Sequence, residues 1–188
     1  MTPAILKGTF IQLEPLDTSH REALSSVAEN DAIWTYSFDP FSAWFDKAID
    51  STQREGHAPF IVRRLSDNKI IGSTRYYHVD PKHRRLTIGY TWYTPDAWGS
   101  HVNPECKLLL LTFAFEKWLA NRVEFCIDSR NLRSRAAVKK LGATEEGILR
   151  HHMILKDGVI RDTVIFSIIK PDWPHIKSTL QARLHKQS

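Results

Sequence analysis

From Thr9 to Glu14 the chain alternates, with Ile11 and Leu13 on one side and Phe10, Gln12 and Glu14 on the other. That period of two predicts a strand, which Pro15 closes. Asp17 or Thr18 can cap a short helix running to about Ala28. The stretch from Asn30 to Gly56 is less regular and rich in rings: Trp34, Tyr36, Phe38, Phe41, Trp44 and Phe45. Those rings read first as core. Asp39-Pro40 breaks the stretch, and Ser42 is a candidate cap for a helix ending near Gly56.

Three strand-like runs follow. Phe60 to Leu65 leads through Ser66-Asp67-Asn68 into Lys69 to Val79, a hairpin by spacing and turn chemistry. Arg84 to Tyr93 comes next, with Leu86, Ile88, Tyr90 and Trp92 predicted on one face and Arg85, Thr87, Gly89 and Thr91 on the other. Gly89 marks a bulge or a close backbone approach.

Beyond the loop Thr94–Val102, Asn103-Pro104-Glu105 reads as a helix start: Asn caps, Pro needs no partner in the first turn, and Glu suits the positive end. This helix is expected to reach about Leu119, with Glu105, Thr112 and Glu116 as its one polar strip, so it should lie against a sheet. Val123, Phe125 and Ile127 form the next strand. Asn131 caps a short helix that ends at Gly142, and Ile148–Leu155 with Val159–Ile169 flank Lys156-Asp157-Gly158 as a second hairpin. Pro171 to Leu184 reads as a closing helix. The order β-α-α-β-β-β-α-β-α-β-β, with no repeat or linker, predicts one mixed α/β domain over residues 1–188.

Composition narrows this picture only slightly. A chain of 188 residues with 42% hydrophobic positions buries about 70% of its unfolded surface, so a core forms without disulfides or a structural metal. Cys106 and Cys126 stand twenty positions apart with no CxxC, which suits free thiols and a cytoplasmic location. No targeting or membrane-spanning segment is read; Leu108 to Leu111 is the densest apolar run. The net charge of +5 suits an anionic partner. A nucleic-acid module is disfavoured because the aromatics follow buried periodicities. The basic clusters Lys82–Arg85 and Arg130, Arg133, Arg135, Lys139, Lys140 read as solvated faces, with Arg133 and Lys140 best placed to meet phosphates. Histidines and carboxylates show no metal-ligand spacing.

Two strand-to-helix junctions carry the candidate chemistry. Asp96 to Asn103 and Asn131 to Ala137 each open a helix, where free N–H groups and the helix dipole attract anions. The runs Trp98-Gly99-Ser100-His101-Val102-Asn103-Pro104-Glu105-Cys106-Lys107-Leu108-Leu109-Leu110-Leu111 and Asp128-Ser129-Arg130-Asn131-Leu132-Arg133-Ser134-Arg135-Ala136 resemble the GNAT superfamily of acetyl-CoA-dependent N-acetyltransferases. Leu141-Gly142-Ala143, Glu146 to Arg150, Asp157-Gly158 and Arg161-Asp162 add to the likeness, which is nearest the RimJ/RimL-type branch and extends from about Leu6 to the tail.

The resemblance implies a central, mostly antiparallel, twisted sheet flanked by helices, whose two middle strands splay to hold acetyl-CoA. Trp92, Tyr93 and Thr94 would then donate backbone hydrogen bonds to the pantetheine, and Trp98, Gly99, Ser100, His101, Val102 and Asn103 would wrap the pyrophosphate. Asn131 and Ser134 would meet the pantetheine and sulfur, with Ala137 and Lys140 on the same helix also at the cofactor. No metal is implied, and the second partner is an amine. An amine attacking a thioester generates an oxyanion and then a thiolate, and Ser134 is the expected donor to the departing sulfur. An amine of pKa near 10 must also lose a proton. His151 and His152 lie on opposite faces of one strand, with His78 and Glu146 behind them, and His152 is the expected base.

Two features depart from the family pattern. Its phosphate loop, Arg or Gln, two residues, Gly, one residue, Gly or Ala, falls here on Asp96, Gly99 and His101. Where many relatives carry a glutamate two residues before the strand glycine, this chain has Thr87. That substitution leaves room for a different reading, a non-catalytic acyl-CoA-binding sensor or accessory domain.

Overall fold

The structure is a computed structural model that describes residues 4–37, 39–155 and 157–185; Phe38 and Lys156, named above in the ring-rich segment and the second turn, lie outside them. Its strands are β1 (Leu6–Lys7), β2 (Ile11–Pro15), β3 (Ala58–Arg64), β4 (Ile70–Asp80), β5 (Arg85–Tyr93), β6 (Arg122–Asp128), β7 (Thr144–Ile154) and β8 (Ile160–Ile169). The α-helices are α1 (Arg21–Val27), α2 (Phe41–Arg54), α3 (Val102–Thr112), α4 (Leu132–Leu141) and α5 (Trp173–His185). The strands form one sheet in the order β1-β2-β3-β4-β5-β6-β8-β7. Every neighbouring pair is antiparallel except β5 with β6. The expected mixed α/β class and mostly antiparallel sheet are what the chain adopts.

One face of the sheet carries α3 and α5, whose Leu110, Leu111, Trp173, Ile176 and Leu180 pack on Leu13, Phe60, Leu86, Ile88 and Val123. The other carries α1 and α2, where Leu24, Trp44, Phe45 and Ala48 pack on Ile61, Ile70 and Trp92. Asp17 starts the first helical segment by accepting from the Ser19 N–H at 2.8 Å, as expected of a cap. Asn131 likewise accepts from Ser134 N–H at 3.0 Å, and Gly142 ends α4 at φ +98°, a conformation that a side chain would strain.

Several local expectations are corrected. Ser42 lies inside α2, whose cap position is Pro40. Helix α3 begins at Val102 rather than after Asn103. The Asn103 side chain is engaged elsewhere, accepting from the Tyr93 hydroxyl at 3.1 Å, and Ser100 Oγ takes the Val102 N–H at 3.2 Å. The helix expected to reach Leu119 changes at Thr112 into a π-helical turn, Phe113–Lys117. Glu105 is not part of a solvated strip: it is buried and accepts from the N–H groups of Thr9, Phe10 and Ile11 at 2.6, 2.8 and 2.8 Å. It fastens the turn between β1 and β2 to the first turns of α3.

The largest correction concerns β5. Arg75 pairs with Gly89, but Ser73 pairs with Trp92, so two steps along β4 correspond to three along β5. One extra residue inverts the alternation beyond it. Leu86, Ile88 and then Tyr93 face α3, while Trp92 turns to the α2 side and meets Trp34 and Trp44 at ring separations of 5.5 and 5.6 Å. Tyr90, at φ +51°, takes up the bend and is left exposed. The bulge that Gly89 suggested is present, and it removes Trp92 from the face of Leu86 and Ile88.

Candidate active site

Parallel pairing between β5 and β6 covers only Arg85 with Arg122, Leu86 with Val123 and Thr87 with Glu124. Past Thr87 the two strands part, at the point where the bulge bends β5 away. A cavity of about 590 Å³ occupies the opening. Its walls are β5 from Gly89 to Tyr93, β6 from Phe125 to Asp128, the first turns of α3 and α4, and the rings of Trp34, Tyr36 and Trp44.

The structure brings most of the expected cofactor residues to this cavity. Trp92, Tyr93, Trp98, Gly99, Ser100, Asn103, Asn131, Ser134, Ala137 and Lys140 line it, as does His152. Thr94, His101 and Val102 are not among its lining residues. The Thr94 N–H is given to the Ile71 carbonyl at 2.9 Å, because β5 is still paired with β4 there. The His101 ring packs against Phe10 at 4.0 Å between centroids, on the side where the β1–β2 turn is tied to α3. Val102, the first residue of α3, is buried in the core.

Two helix starts converge on the opening. Gly99 stands at φ +73°, so the loop entering α3 turns through a conformation that a Cβ would strain. Pro104 has no N–H, and the first N–H groups of a helix have no partner within it. From the other side, the Arg133 guanidinium of α4 lies 4.0 Å over the Trp98 ring, closing the space between the two helices. Arg133 and Lys140 line the cavity, while Lys139 and Arg135 turn to Glu145 and Arg130 to Asp128. Of the second basic cluster, these two alone face the opening among the described residues. Beyond Thr87 and Glu124 the facing edges of β5 and β6 no longer pair with each other, and Arg133 and Lys140 bring positive charge to the opening between them.

The candidate proton acceptors separate clearly. His152 lines the cavity with Nδ1 3.1 Å from Thr163 Oγ1, and His78 lines it too. His151 lies outside it. Glu146 is held by Arg122, one contact being 2.7 Å, and by the Ser167 hydroxyl at 2.7 Å. Those bonds, Arg122's foremost, draw its carboxyl down to about 2, so it is a poor base. Thr87 is fully buried, and the one carboxylate on the cavity wall among the described residues, Asp128, is paired with Arg130.

Sequence patterns did not single out two buried cations nearby. Arg75, opposite Gly89, lies 4.2 Å over the Tyr90 ring, and its Nε and Nη2 find no hydrogen-bond partner. Burial pulls its pKa down to about 10. Lys107 lines the cavity from α3 and donates to Thr91 Oγ1 at 2.9 Å. A charge beside an apolar run, Leu108 to Leu111, is the signal that could have marked Lys107. Among the described residues no group of three or more His, Cys, Asp and Glu could hold a metal ion, and no helix is long and apolar enough to cross a membrane.

Known proteins are similar to this chain. The family model of the acetyltransferase (GNAT) domain matches residues 11–144. "Putative ribosomal N-acetyltransferase YdaF" of Bacillus subtilis (strain 168) is 31% identical over 109 residues, 58% of this chain and 58% of that protein. "Uncharacterized N-acetyltransferase YoaA" of the same organism is 28% identical over 110 residues, 58% of this chain and 61% of its own length. The matches thus span less than two thirds of either curated relative. A crystal structure of a GCN5-related N-acetyltransferase from Brucella melitensis superposes with a TM-score of 0.87 at 29% identity, over 95% of this chain and 84% of that one. The Mycobacterium smegmatis RimJ structure, in complex with CoA-disulfide, shares the fold at a TM-score of 0.77 and 19% identity, over 92% and 88% of the two chains. With the model matching most of the chain and the parted strands in place, the chain belongs to the acetyltransferase (GNAT) domain family.

Proposed function

We propose that this chain is an acetyl-CoA-dependent N-acetyltransferase that transfers acetyl to a primary amine, of a protein N-terminus or a small molecule, by direct attack and without a covalent enzyme intermediate. The observation that carries the reading is the cavity between β5 and β6, onto which the starts of α3 and α4 both open. The names of the curated relatives, both N-acetyltransferases, support the same activity.

Acetyl-CoA supplies the acetyl group as a thioester, and the chain's own groups do the rest. Ser100, Asn103 and the start of α3 hold the pyrophosphate, with Arg133 and Lys140 supplying positive charge. The β5 backbone at the bulge aligns the pantetheine. Attack by an amine forms a C–N bond and breaks the C–S bond, so a proton must leave nitrogen and charge on sulfur must be met. His152 takes the proton. Ser134 sits in the first turn of α4, where its N–H is already given to Asn131 and its hydroxyl is left to donate to the sulfur. The ring-lined side, Trp34, Tyr36, Trp44 and Tyr90, receives the acceptor.

Thr87 and the lack of a free carboxylate on the described cavity wall favour a second reading, an acyl-CoA-binding sensor that performs no transfer. Calorimetry with acetyl-CoA, followed by an assay of free CoA released in the presence of an amine panel, separates the readings. Binding with amine-dependent release supports the enzyme, binding without release supports the sensor, and no binding refutes both.

A further inference from the structure

Helix α3 is apolar along most of its length, and Lys107 interrupts it just before four consecutive leucines. The side chain does not reach out to solvent: Lys107 is 5% exposed. One turn beyond Asn103, it lies about 6 Å deeper along the helix axis and faces the same cavity. Its ammonium donates once, to Thr91 Oγ1 at 2.9 Å, and Thr91 Oγ1 is in turn 2.8 Å from Thr74 Oγ1. No carboxylate among the described residues pairs with it; Glu105, two residues earlier, is taken up by three backbone N–H groups. An ammonium has three donors. One is used, and the charge is buried beside the bulge, where a well-packed apolar residue would have served the core better.

We propose that Lys107 is a further catalytic residue, whose ammonium donates a hydrogen bond to the carbonyl oxygen of the bound thioester and stabilises the negative charge that develops there. The proposal rests on the acetyl-CoA reading given above. It is carried by position: Thr91 belongs to the bulge at which β5 leaves β6, so its hydroxyl holds the ammonium at the opening between the strands. Burial pushes the Lys107 pKa down from its ordinary 10.5, the direction expected of a cation that lacks a negative partner in the free protein. During transfer the carbonyl π pair moves to oxygen as the amine nitrogen bonds to carbon. It returns as the C–S bond breaks and its electrons leave with sulfur. Lys107 keeps its proton throughout, so its part is electrostatic.

The test uses the full chain and acetyl-CoA labelled with ¹³C at the thioester carbonyl. In the wild-type protein, isotope-edited infrared spectra should show the carbonyl stretch move to lower frequency on binding. In K107M, which keeps the stem and removes the donors, that shift should be lost. Turnover should fall on the order of 100-fold while KM for acetyl-CoA changes less than threefold. Calorimetry should show K107M weakening acetyl-CoA more than CoA, which has no acyl carbonyl. Equal weakening of the two would assign Lys107 to the pantetheine or to propping the bulge, and would overturn the proposal. So would an unshifted carbonyl in the wild-type protein, a measurement that stands even if K107M fails to fold. A 42 Da adduct on Lys107 after incubation with acetyl-CoA would also overturn it, because the amine would then be a nucleophile. Failure of the wild-type chain to bind acetyl-CoA at all would instead refute the family-based reading beneath.

Discussion

Glu105 offers the most direct test of how the N-terminal turn seats the helix that opens the site. Its carboxylate receives three N–H groups, from Thr9 at 2.6 Å and from Phe10 and Ile11 at 2.8 Å each. In Glu105→Gln the side chain keeps its shape, but one oxygen becomes an NH₂ group that cannot accept. If the remaining oxygen serves Phe10 and Ile11, the Thr9 N–H faces another donor. Hydrogen bonds to charged groups contribute about 1.5–3 kcal/mol each, so losing one and weakening two should cost about 3 kcal/mol. Against typical stabilities of about 5–15 kcal/mol that is a large fraction. It corresponds to about 6–12 °C in Tm for a chain of this length.

An independent perturbation reaches the same carboxylate from the other side. A Cβ placed on Gly8 would lie 2.5 Å from Glu105 Cδ, so Gly8→Ala must displace the carboxylate or the turn. Its cost should be about 1–3 kcal/mol. Because both changes disturb one contact, the double variant should cost less than the sum of the singles. Urea unfolding followed by tryptophan fluorescence and far-UV circular dichroism gives all three values. A Glu105→Gln variant within 1 °C of wild type, or strict additivity with Gly8→Ala, would refute the argument.

Other expectations follow from the cavity and its borders. Ser134→Ala should lower kcat on the order of 100-fold with little change in the calorimetric affinity for acetyl-CoA, and unaltered turnover would leave Ser134 a helix residue only. Arg133→Ala with Lys140→Ala should raise the Kd for CoA by at least tenfold and flatten its dependence on salt; an unchanged salt dependence would place the phosphates elsewhere. Glu146 titrates at about 2 in the fold against an ordinary 4.5, so its stabilising effect is complete above 4.5 and is lost as pH falls towards 2. Glu146→Gln should therefore be less stable than wild type at pH 7, with the Tm gap closing between pH 4.5 and 2, and a gap independent of pH would exclude the Arg122 pairing as its source.

The parts of this fold that depend on near neighbours in sequence were legible in advance. Ile11 and Leu13 alternate with polar residues and are buried, Asp17 and Asn131 cap as short polar residues before helices do, and Gly142 ends α4 with positive φ. The role of Glu105 is not legible locally, because its three partners lie 94 to 96 residues away. At a helix start a glutamate has a sufficient local reason to be present, and nothing nearby shows that its carboxylate is claimed by another segment. Asn103 was assigned as a cap on the same local grounds, whereas the Tyr93 hydroxyl ten residues back had a stronger hold on its side chain. Lys107 is hidden for the opposite reason: one charge beside a run of leucines leaves the apolar pattern intact.

The bulge explains why the site could be placed on β5 from sequence while its inner arrangement could not. Gly89 signalled an irregularity, but alternation was carried through it, and that assigns Trp92 to the wrong face. Inserting one residue between the partners of Arg75 and Ser73 has two effects at once. It bends β5 away from β6 just beyond Thr87, where parallel pairing stops, and so opens the cavity. It also exchanges the faces, sending Trp92 to the rings around α2 while Thr91 reaches Lys107 of α3. The ring-lined acceptor side and the buried ammonium therefore depend on the same extra residue. A straight β5 would have kept Trp92 with Ile88 under α3, paired with β6 along its length, and left neither the opening nor the cation beside it.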